Sequence, residues 1–178
     1  MNTYKMTVAG HEMELPLCAI SEKMDIAAFI IFGEVGLTED AARELLKKCP
    51  EHDVILTAEA KGIPLGYEMA RQGCRDYVVV RKSIKVYVQN PLIAEVNSIT
   101  TLNKQKLYLP GNKADRLRGK RVLIVDDVIS TGASIEALET LVEKAGGTIV
   151  GKAAVLAEGD AADREDIIFL EKLPLFPK

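Results

Sequence analysis

The sequence contains no tryptophan, two histidines and three cysteines among its 178 residues. Cys18, Cys49 and Cys74 are far apart and form no CxxC pair, so the sequence indicates neither a disulfide framework nor a zinc site. A free cysteine behaves mainly as a small hydrophobic residue, and we expect all three to be packing or surface residues in a reducing cytoplasm. The isolated His11 and His52 are expected to have structural or surface roles.

Long hydrophobic runs and an excess of basic charge are also absent. The longest apolar run near the start, residues 26–32, is far shorter than the roughly 20 residues that span a bilayer, and no secretory signal pattern is visible. The hydrophobic fraction of 48% and the charged fraction of 28% are ordinary for a globular protein. A net charge of −3 provides no general basic field for nucleic acid. We therefore expect a soluble cytoplasmic protein that binds neither membranes nor nucleic acids, and that holds any anionic ligand by local groups.

Strand-type and helix-type segments alternate along the chain. Apolar runs rich in β-branched residues predict strands at 54–57, 77–80, 122–125, 148–156 and 167–170. Apolar residues at helical spacing predict helices at 41–48, 63–71 and 135–145, the last ending at Gly146 and Gly147. This alternation is typical of βαβ units, so we expect an α/β fold with a parallel sheet flanked by helices. The length and the lack of repeats or linkers predict a single domain over residues 1–178.

Two regions depart from this alternation. Residues 83–109 mix lysines, asparagines and threonines with short β-type stretches, and we interpret them as a projecting ribbon or flexible loop. Loops of this length in compact domains are usually functional lids. Residues 1–50 are expected to form a small hood or cap over the sheet, in which the apolar residues 25–32 form a helix.

The most informative stretch is residues 122–134, VLIVDDVISTGAS. Four apolar residues predict a buried strand, Asp126 and Asp127 follow at its carboxyl end, and a short loop rich in hydroxyl groups then opens a helix. Open α/β sheets bind ligands at this place. Backbone N–H groups and the helix dipole there favour a dianionic phosphate, held by Ser130, Thr131, Gly132, Ala133 and Ser134.

Such a phosphate would repel carboxylates, so Asp126 and Asp127 need another role. Two adjacent carboxylates suit the vicinal hydroxyl groups of a ribose, from which they accept hydrogen bonds. In the structural alternative Asp127 only caps the helix, and Ser130 or Thr131 makes a turn. A Walker A loop is excluded because no GxxxxGK[ST] pattern is present.

These thirteen residues resemble the signature of type I phosphoribosyltransferases, whose strand, acidic pair and TG-containing loop bind 5-phosphoribosyl-1-pyrophosphate (PRPP). The resemblance implies a Rossmann-like parallel sheet with a small hood and a flexible loop. It implies that Asp126 and Asp127 bind the ribose 2- and 3-hydroxyls and that residues 130–134 surround the 5-phosphate. It also implies a homodimer and Mg²⁺ as cofactor, held through PRPP and water with no direct protein ligand.

Two further segments resemble the pyrophosphate side of the same family. Residues 59–63, EAKGI, resemble the EARGF form of adenine phosphoribosyltransferases, with Lys61 in the arginine's place. Residues 81–85, RKSIK, are similar to their RKxGK segment, although a solvated basic strand end is the structural alternative. The resemblance implies a non-proline cis peptide, here at Ala60–Lys61. It implies pyrophosphate binding by Ala60, Lys61, Gly62, Arg81, Lys82 and Lys85, of which Lys61, Arg81 and Lys85 join Asp126 and Asp127 as catalytic residues.

The residues expected around the base favour different purines. Residues 96–105 lack the glutamate of adenine enzymes and look more like the loop of bacterial xanthine phosphoribosyltransferases and the purine repressor. Ser130 replaces an aspartate of hypoxanthine-guanine enzymes, and Glu158 and Asp160 lie where the 6-oxopurine enzymes carry lysine. A carboxylate accepts from an amino group but faces an O6 carbonyl unfavourably, so adenine is favoured. The expected base-binding residues are Val128, Ile129 and Glu158, and a plain polar turn is the structural alternative for Glu158 and Asp160.

We therefore expect a purine phosphoribosyltransferase that joins the ribose of PRPP to a purine and releases pyrophosphate and a nucleotide. Xanthine or another 6-oxopurine is the alternative base. A regulator that senses PRPP without catalysis is a second hypothesis, although no basic recognition helix is visible in the roughly 50 residues before Val54. Pyrimidine or orotate transfer is a third.

Overall fold

The computed structural model describes residues 2–86, 88–96 and 105–178. Its strands are β1 (Thr3–Val8), β2 (His11–Ser21), β3 (Met24–Ala27), β4 (Val54–Ala58), β5 (Tyr77–Val80), β6 (Leu92–Val96), β7 (Gln105–Leu109), β8 (Arg121–Ile129), β9 (Thr148–Glu158), β10 (Ile168–Leu173) and β11 (Leu175–Pro177). Its helices are α1 (Val35–Lys48), α2 (Gly62–Gln72), α3 (Gly111–Ala114) and α4 (Ala133–Ala145), and a 3-10 turn covers Gly159–Asp163.

Five parallel strands form the central sheet in the order β10-β9-β8-β4-β5. Every residue of β4 is buried, as expected for a parallel strand covered on both faces. The predicted α/β fold and all five predicted strands are confirmed. Strand β8 is longer than predicted because its pairing with β9 continues to Ile129 and Ala157. Asp126 and Asp127 therefore lie inside the strand rather than after it.

The helices cover the two faces of this sheet. Helices α1 and α2 pack on one face and α4 packs on the other, where it also contacts the β6–β7 ribbon. The three predicted helices are confirmed, and α1 begins six residues earlier than predicted. Helix α4 buries the face predicted from its spacing and ends at Gly146, whose φ of 79° is left-handed. The residues on that face are Ile135, Leu138, Leu141 and Val142.

The N-terminal residues form a small second sheet in the order β1-β2-β3-β11. Strands β1 and β2 are joined by Ala9 and Gly10, whose φ values of 49° and 84° fit a tight two-residue hairpin turn. Strand β11, from the other end of the chain, pairs with β3 through Leu175 and Ile26. The buried side chains of this sheet join α1 and α2 in one hydrophobic cluster on the sheet face that these helices cover.

The predicted helix at residues 25–32 is wrong. Strand β3 occupies its first part, and the chain then runs on without helix or strand to the start of α1. Phe29 and Ile31 are 2% and 1% exposed, whereas Ile30 and Phe32 are 53% and 50% exposed. This alternation has the period of two of an extended chain, and it lets every second side chain enter the core between the two sheets.

The predicted ribbon at residues 83–109 is confirmed in its two arms, because β6 and β7 pair as an antiparallel hairpin. Residues 97–104, which carry most of the loop compared with xanthine enzymes, lie outside the described residues, and the flexibility of this loop stays a prediction. The three cysteines are unpaired, as expected. Within the described residues, none of the helices has the length and apolar character to cross a bilayer.

Phe29→Ala and Phe32→Ala test the extended structure of this segment. In a helix, side chains three residues apart lie on the same face, so both substitutions would have similar effects. In the observed structure only Phe29 is buried. We expect Phe29→Ala to lower the free energy of unfolding by about 3–5 kcal/mol and Phe32→Ala to change it by about 0.5 kcal/mol, both measured by urea denaturation. Equal losses from the two variants would contradict the extended structure.

Candidate active site

The carboxyl ends of the four strands β4, β5, β8 and β9 meet at one edge of the central sheet. Ala58 pairs with Val80, and Ile129 pairs with Ala157, so the loops that follow these strands are neighbours. This edge is where parallel α/β sheets place their ligand sites. The segments predicted from sequence, 59–62, 81–85, 126–134 and 158, are brought together here.

Two adjacent carboxylates lie at the centre of this edge. Asp127 is 4% exposed, and Lys61 Nζ is 2.9 Å from its Oδ2. The contact is an ion pair whose angles do not make a hydrogen bond, so Oδ2 is a buried acceptor without a hydrogen-bond partner among the described residues. Asp126 Oδ1 accepts a hydrogen bond of 2.8 Å from the Asp127 N–H. Burial, reinforced by the charge of Asp127, raises the pKa of Asp126 well above its usual range.

Helix α2 begins directly against this acidic pair. A Cβ added to Gly62 would overlap the Thr57 hydroxyl and lie 3.2 Å from Asp126 Oδ1, so only glycine fits there. Lys61, the residue before the helix, also donates a 3.3 Å hydrogen bond to the carbonyl oxygen of Phe29 in the N-terminal segment. Sequence reasoning did not identify Phe29, because this contact joins residues 32 positions apart and no local motif marks it.

The predicted cis peptide lies one residue earlier than expected. The cis bond is Glu59–Ala60, and the prediction at Ala60–Lys61 is wrong. The chain turns from β4 towards α2 at Glu59–Ala60, and Lys61 already has helical backbone angles of φ −71° and ψ −24°.

Glu59 connects the loops that follow β4 and β5. Its Oε1 accepts hydrogen bonds from the Lys82 N–H at 2.6 Å and from Arg81 Nε at 3.2 Å. The backbone of Arg81 makes two hydrogen bonds with Tyr108 in β7, of 2.9 and 2.8 Å, which anchor it to the ribbon. The side chains of Lys82 and Lys85 are exposed on the same segment. Glu59 was not predicted as a site residue, although it lies two residues before Lys61 in the segment that resembles the pyrophosphate loop of the family.

The loop between β8 and α4 has the form of an anion site. Gly132 has a φ of 83°, and the hydroxyls of Ser130, Thr131 and Ser134 belong to exposed residues. Thr131 Oγ1 accepts a weak 3.4 Å hydrogen bond from the Ala133 N–H. A small cleft of about 50 Å³ opens here, at the amino end of the 13-residue helix α4. It is lined by Asp126, Val128, Ile129, Ser130, Thr131, Gly132, Ser134 and Ile135.

A larger cavity of about 540 Å³ lies near the other end of α4, beside Arg118 and Lys144. The small cleft combines one carboxylate of the acidic pair, the glycine turn and the amino end of a 13-residue helix. The larger cavity has neither an acidic pair nor a left-handed glycine among its lining residues, and α3, which begins there, has only four residues.

Glu158 lies one residue beyond the Ile129–Ala157 pair, at the end of β9. It is half-buried, and burial raises its pKa, an effect partly offset by the charge of Lys61. Val128 is half-buried, whereas Ile129 is 2% exposed and packs with α4 in the core. Glu158 is therefore exposed enough to contact a ligand, whereas the side chain of Ile129 is packed in the core.

Comparison with known proteins agrees with this geometry. The family model of the phosphoribosyl transferase domain matches residues 34–173. A hypoxanthine/guanine phosphoribosyltransferase of Methanothrix thermoacetophila is 38% identical over 112 residues, which are 63% of this chain and 55% of that protein. An adenine phosphoribosyltransferase of Rhodococcus jostii is 36% identical over 126 residues, which are 71% of this chain and 67% of that protein. The chain thus spans little more than half the length of the first of these relatives.

Solved structures share the fold over most of the chain. An adenine phosphoribosyltransferase of Rhodothermus marinus superposes with a TM-score of 0.73 at 26% identity, covering 89% of this chain and 94% of that one. The enzyme of the same name from Thermoanaerobacter pseudethanolicus has the same TM-score at 24% identity, covering 89% and 95%. Together with the acidic pair and the glycine turn of the β8–α4 loop, these matches identify the chain as a member of the phosphoribosyltransferase family.

Proposed function

We propose that this protein is a purine phosphoribosyltransferase that transfers the ribose 5-phosphate of PRPP to a purine, with adenine as the favoured base and AMP as the product. The observation that carries the proposal is a pair of adjacent carboxylates, the half-buried Asp126 and the buried Asp127, directly beside an anion-binding loop at the amino end of α4. This combination matches a ligand with a terminal phosphate and a diol a few bonds apart.

In the proposed complex the 5-phosphate occupies the cleft formed by residues 130–134. Backbone N–H groups at the start of α4 donate to its oxygens, and the helix dipole favours its charge. Asp127 Oδ2 is a buried acceptor without a hydrogen-bond partner among the described residues, so a ribose hydroxyl would satisfy it. Asp126 and Asp127 together would bind the 2- and 3-hydroxyls and fix the sugar for reaction at C1.

The pyrophosphate would lie between the loops after β4 and β5. Lys61 and Arg81 are paired with Asp127 and Glu59 in the free protein, and PRPP would compete with these carboxylates for both cations. The side chain of Lys61 is 45% exposed, which leaves it room to turn from Asp127 towards the pyrophosphate. The backbone of Ala60 and Gly62 and the exposed side chains of Lys82 and Lys85 would complete this half of the site.

Magnesium fits this arrangement as a part of the substrate complex. Within the described ranges no group of three or more His, Cys, Asp or Glu side chains is arranged to hold a metal. Mg²⁺ usually keeps several waters and takes substrate phosphates as ligands, so it would be held through PRPP and water. When bound, the ion would neutralise part of the charge of the pyrophosphate.

In the proposed reaction the bond between C1 and the pyrophosphate oxygen breaks while the purine N9 forms its bond to C1, and the N9 proton is released. The side chains make no covalent bond. Lys61 and Arg81 would stabilise the growing charge of the leaving group, the kind of electrostatic effect that lowers a barrier most. Closure of the ribbon at residues 83–109 would exclude water, which competes with the base for C1.

Glu158 supports adenine as the base, because a carboxylate can accept a hydrogen bond from an exocyclic amino group. The second candidate is transfer to a 6-oxopurine, which the names of the archaeal relatives favour. Incubating the protein with PRPP, Mg²⁺ and either adenine, hypoxanthine, guanine or xanthine, followed by an assay of pyrophosphate and nucleotide, distinguishes these bases. Binding of PRPP without turnover of any purine would favour the sensor hypothesis instead.

We also propose that residues 1–178 form one domain and that the enzyme works as a cytoplasmic homodimer. Pairing of β11 with β3 joins the two ends of the chain and supports a single unit. Large apolar side chains exposed beside α1 and α2 favour self-association, namely Ile30, Phe32, Val35 and Tyr67. Light scattering coupled to size-exclusion chromatography measures the oligomeric state.

Asp127→Asn should impair turnover without unfolding the protein. Hydrogen bonds to charged groups contribute about 1.5–3 kcal/mol, which corresponds to a roughly 10- to 100-fold lower kcat/KM for PRPP. Steady-state assays with the preferred base measure this change, and circular dichroism checks the fold. Asp163→Asn, at an exposed aspartate outside the site, is the control. Wild-type activity in Asp127→Asn would remove its proposed ribose role.

Glu158→Gln should weaken the binding of the base and leave the binding of PRPP unchanged. The amide keeps one acceptor oxygen but loses the charge, so we expect the KM for adenine to rise roughly tenfold, the size of one lost charge-assisted hydrogen bond. The KM for PRPP should stay within about twofold. Asp160→Asn, two residues further on and exposed, is the matched control and should behave as wild type. An unchanged adenine KM in Glu158→Gln would exclude the base contact.

Asp126→Asn should stabilise the free protein while weakening PRPP binding. Because burial raises the folded-state pKa of Asp126 above its ordinary 3.8, the folded protein binds more protons than the unfolded chain, and this carboxyl destabilises it increasingly as pH rises. Asparagine keeps an oxygen for the Asp127 N–H and has no such charge. Urea unfolding between pH 4 and pH 9 should give a stability gain for Asp126→Asn that grows with pH. A gain independent of pH would contradict this account.

A further inference from the structure

An arginine outside every motif recognised in the sequence lies against the phosphate loop. Arg164 follows the 3-10 turn at Gly159–Asp163, and a Cβ added to Gly132 would overlap its Nη1 atom. Glycine at position 132 is favoured by its φ of 83°, and the guanidinium, the mobile end of a long side chain, occupies the space that a Cβ would enter. The contact joins residues 32 positions apart, which explains why the sequence gives no sign of it.

The guanidinium of Arg164 is held in a fixed orientation. Its Nε and Nη2 donate to the two oxygens of Asp166 at 2.9 and 2.8 Å, a two-point contact that leaves Nη1 as the nitrogen facing Gly132. Asp166 in turn accepts from Lys152 Nζ at 2.5 Å, and Lys152 also donates to Glu139 of α4 at 2.8 Å. The side chain of Lys152 is only 13% exposed. The chain of contacts therefore joins β9, α4 and the start of β10 behind the phosphate loop.

The electrostatics of this position favour an anion. A cation close to the amino end of a helix is normally unfavourable, because the helix dipole already makes that end positive. Asp166, which also pairs with Lys152, offsets part of this effect together with the nearby charges of Glu139 and Glu136 on α4. A dianionic phosphate on the loop would be attracted by both the helix end and the guanidinium. The same arrangement would also restrain the backbone of Gly132.

We propose that Arg164 is a positioning residue for the terminal phosphate of the substrate, holding the loop at Gly132 and adding positive charge beside it. This inference rests on the proposed function, because the ligand is the 5-phosphate assigned to that loop. It predicts an effect on the sugar-phosphate half of the site and none on the pyrophosphate half, which is formed by the loops after β4 and β5.

Calorimetry on the full chain tests whether Arg164 affects only the sugar-phosphate half of the site. Ribose 5-phosphate and inorganic pyrophosphate are titrated separately. We expect Arg164→Ala to weaken ribose 5-phosphate about tenfold, the scale of a partly buried charge at a helix end, and to leave pyrophosphate within about twofold. In assays the KM for PRPP should rise while kcat changes by less than about threefold. Arg164→Lys keeps the charge without the two-point contact with Asp166, so it should lose less affinity.

Arg118→Ala is the matched control. Arg118 also pairs with an aspartate, Asp115, but it lies beside Gly146 at the opposite end of α4, about 20 Å away. It should bind both ligands as wild type does. Thermal unfolding checks that each variant is folded, and if Arg164→Ala does not fold, the selective loss must appear in Arg164→Lys.

The outcomes separate this inference from the proposed function. Unchanged ribose 5-phosphate affinity in folded Arg164 variants would overturn the role of Arg164, and so would an equal weakening of both ligands, which indicates a general loss of structure. If the wild-type protein binds neither ligand nor PRPP, the proposed function fails as well. Selective weakening of ribose 5-phosphate, absent from Arg118→Ala, supports the inference.

Discussion

The burial of two adjacent carboxylates within β8 is the constraint on which the rest of the site depends. Asp126 and Asp127 lie inside β8, beyond the last of its residues that pairs with β4, and Asp127 is buried there, where an unpaired charge is strongly unfavourable. Lys61, at the start of α2, compensates the negative charge, because its Nζ lies 2.9 Å from Asp127 Oδ2. That approach requires glycine at position 62, because a side chain there would overlap Thr57 and crowd Asp126. The close packing of α2 against β8 and the charge compensation of the acidic pair therefore depend on the same residues.

The same logic explains why the cations of the site are paired with acids in the free protein. Lys61 with Asp127 and Arg81 with Glu59 form two ion pairs across neighbouring loops. Partly buried ion pairs gain little net stability, because desolvation offsets much of their attraction. A ligand with both anionic oxygens and hydroxyl groups can therefore replace these ion pairs at a small net cost in free energy. Its phosphate oxygens would bind the two cations, and its hydroxyl groups would bind the carboxylates.

The parts of the structure that the sequence predicts are those set by local patterns. The strands of the central sheet, the buried face of α4 and the turn at Gly132 follow from periodicity and from residues close together in the chain. The contacts that sequence reasoning missed join distant residues: Lys61 with Phe29, Glu59 with Lys82, and Arg164 with Gly132. The wrong helix at residues 25–32 has the same origin. An apolar run of that length is compatible with either a helix or a strand. The strand forms because β3 pairs with β2 and with β11, which lies near the other end of the chain.

Some contacts at the edge of the site come from residues outside the part of the chain that the family model matches. The acidic pair, the phosphate loop and the cationic segments all lie within residues 34–173, the part that the family model matches. Phe29, which contacts Lys61, and Leu175, whose side chain packs against Gly159 beside Glu158, lie outside it. The small sheet, which includes β3 and β11, thus brings residues from both chain ends to the edge of the site. Relatives named for adenine and for hypoxanthine or guanine match this chain at 36% and 38% identity, so the comparisons identify the family without selecting a base.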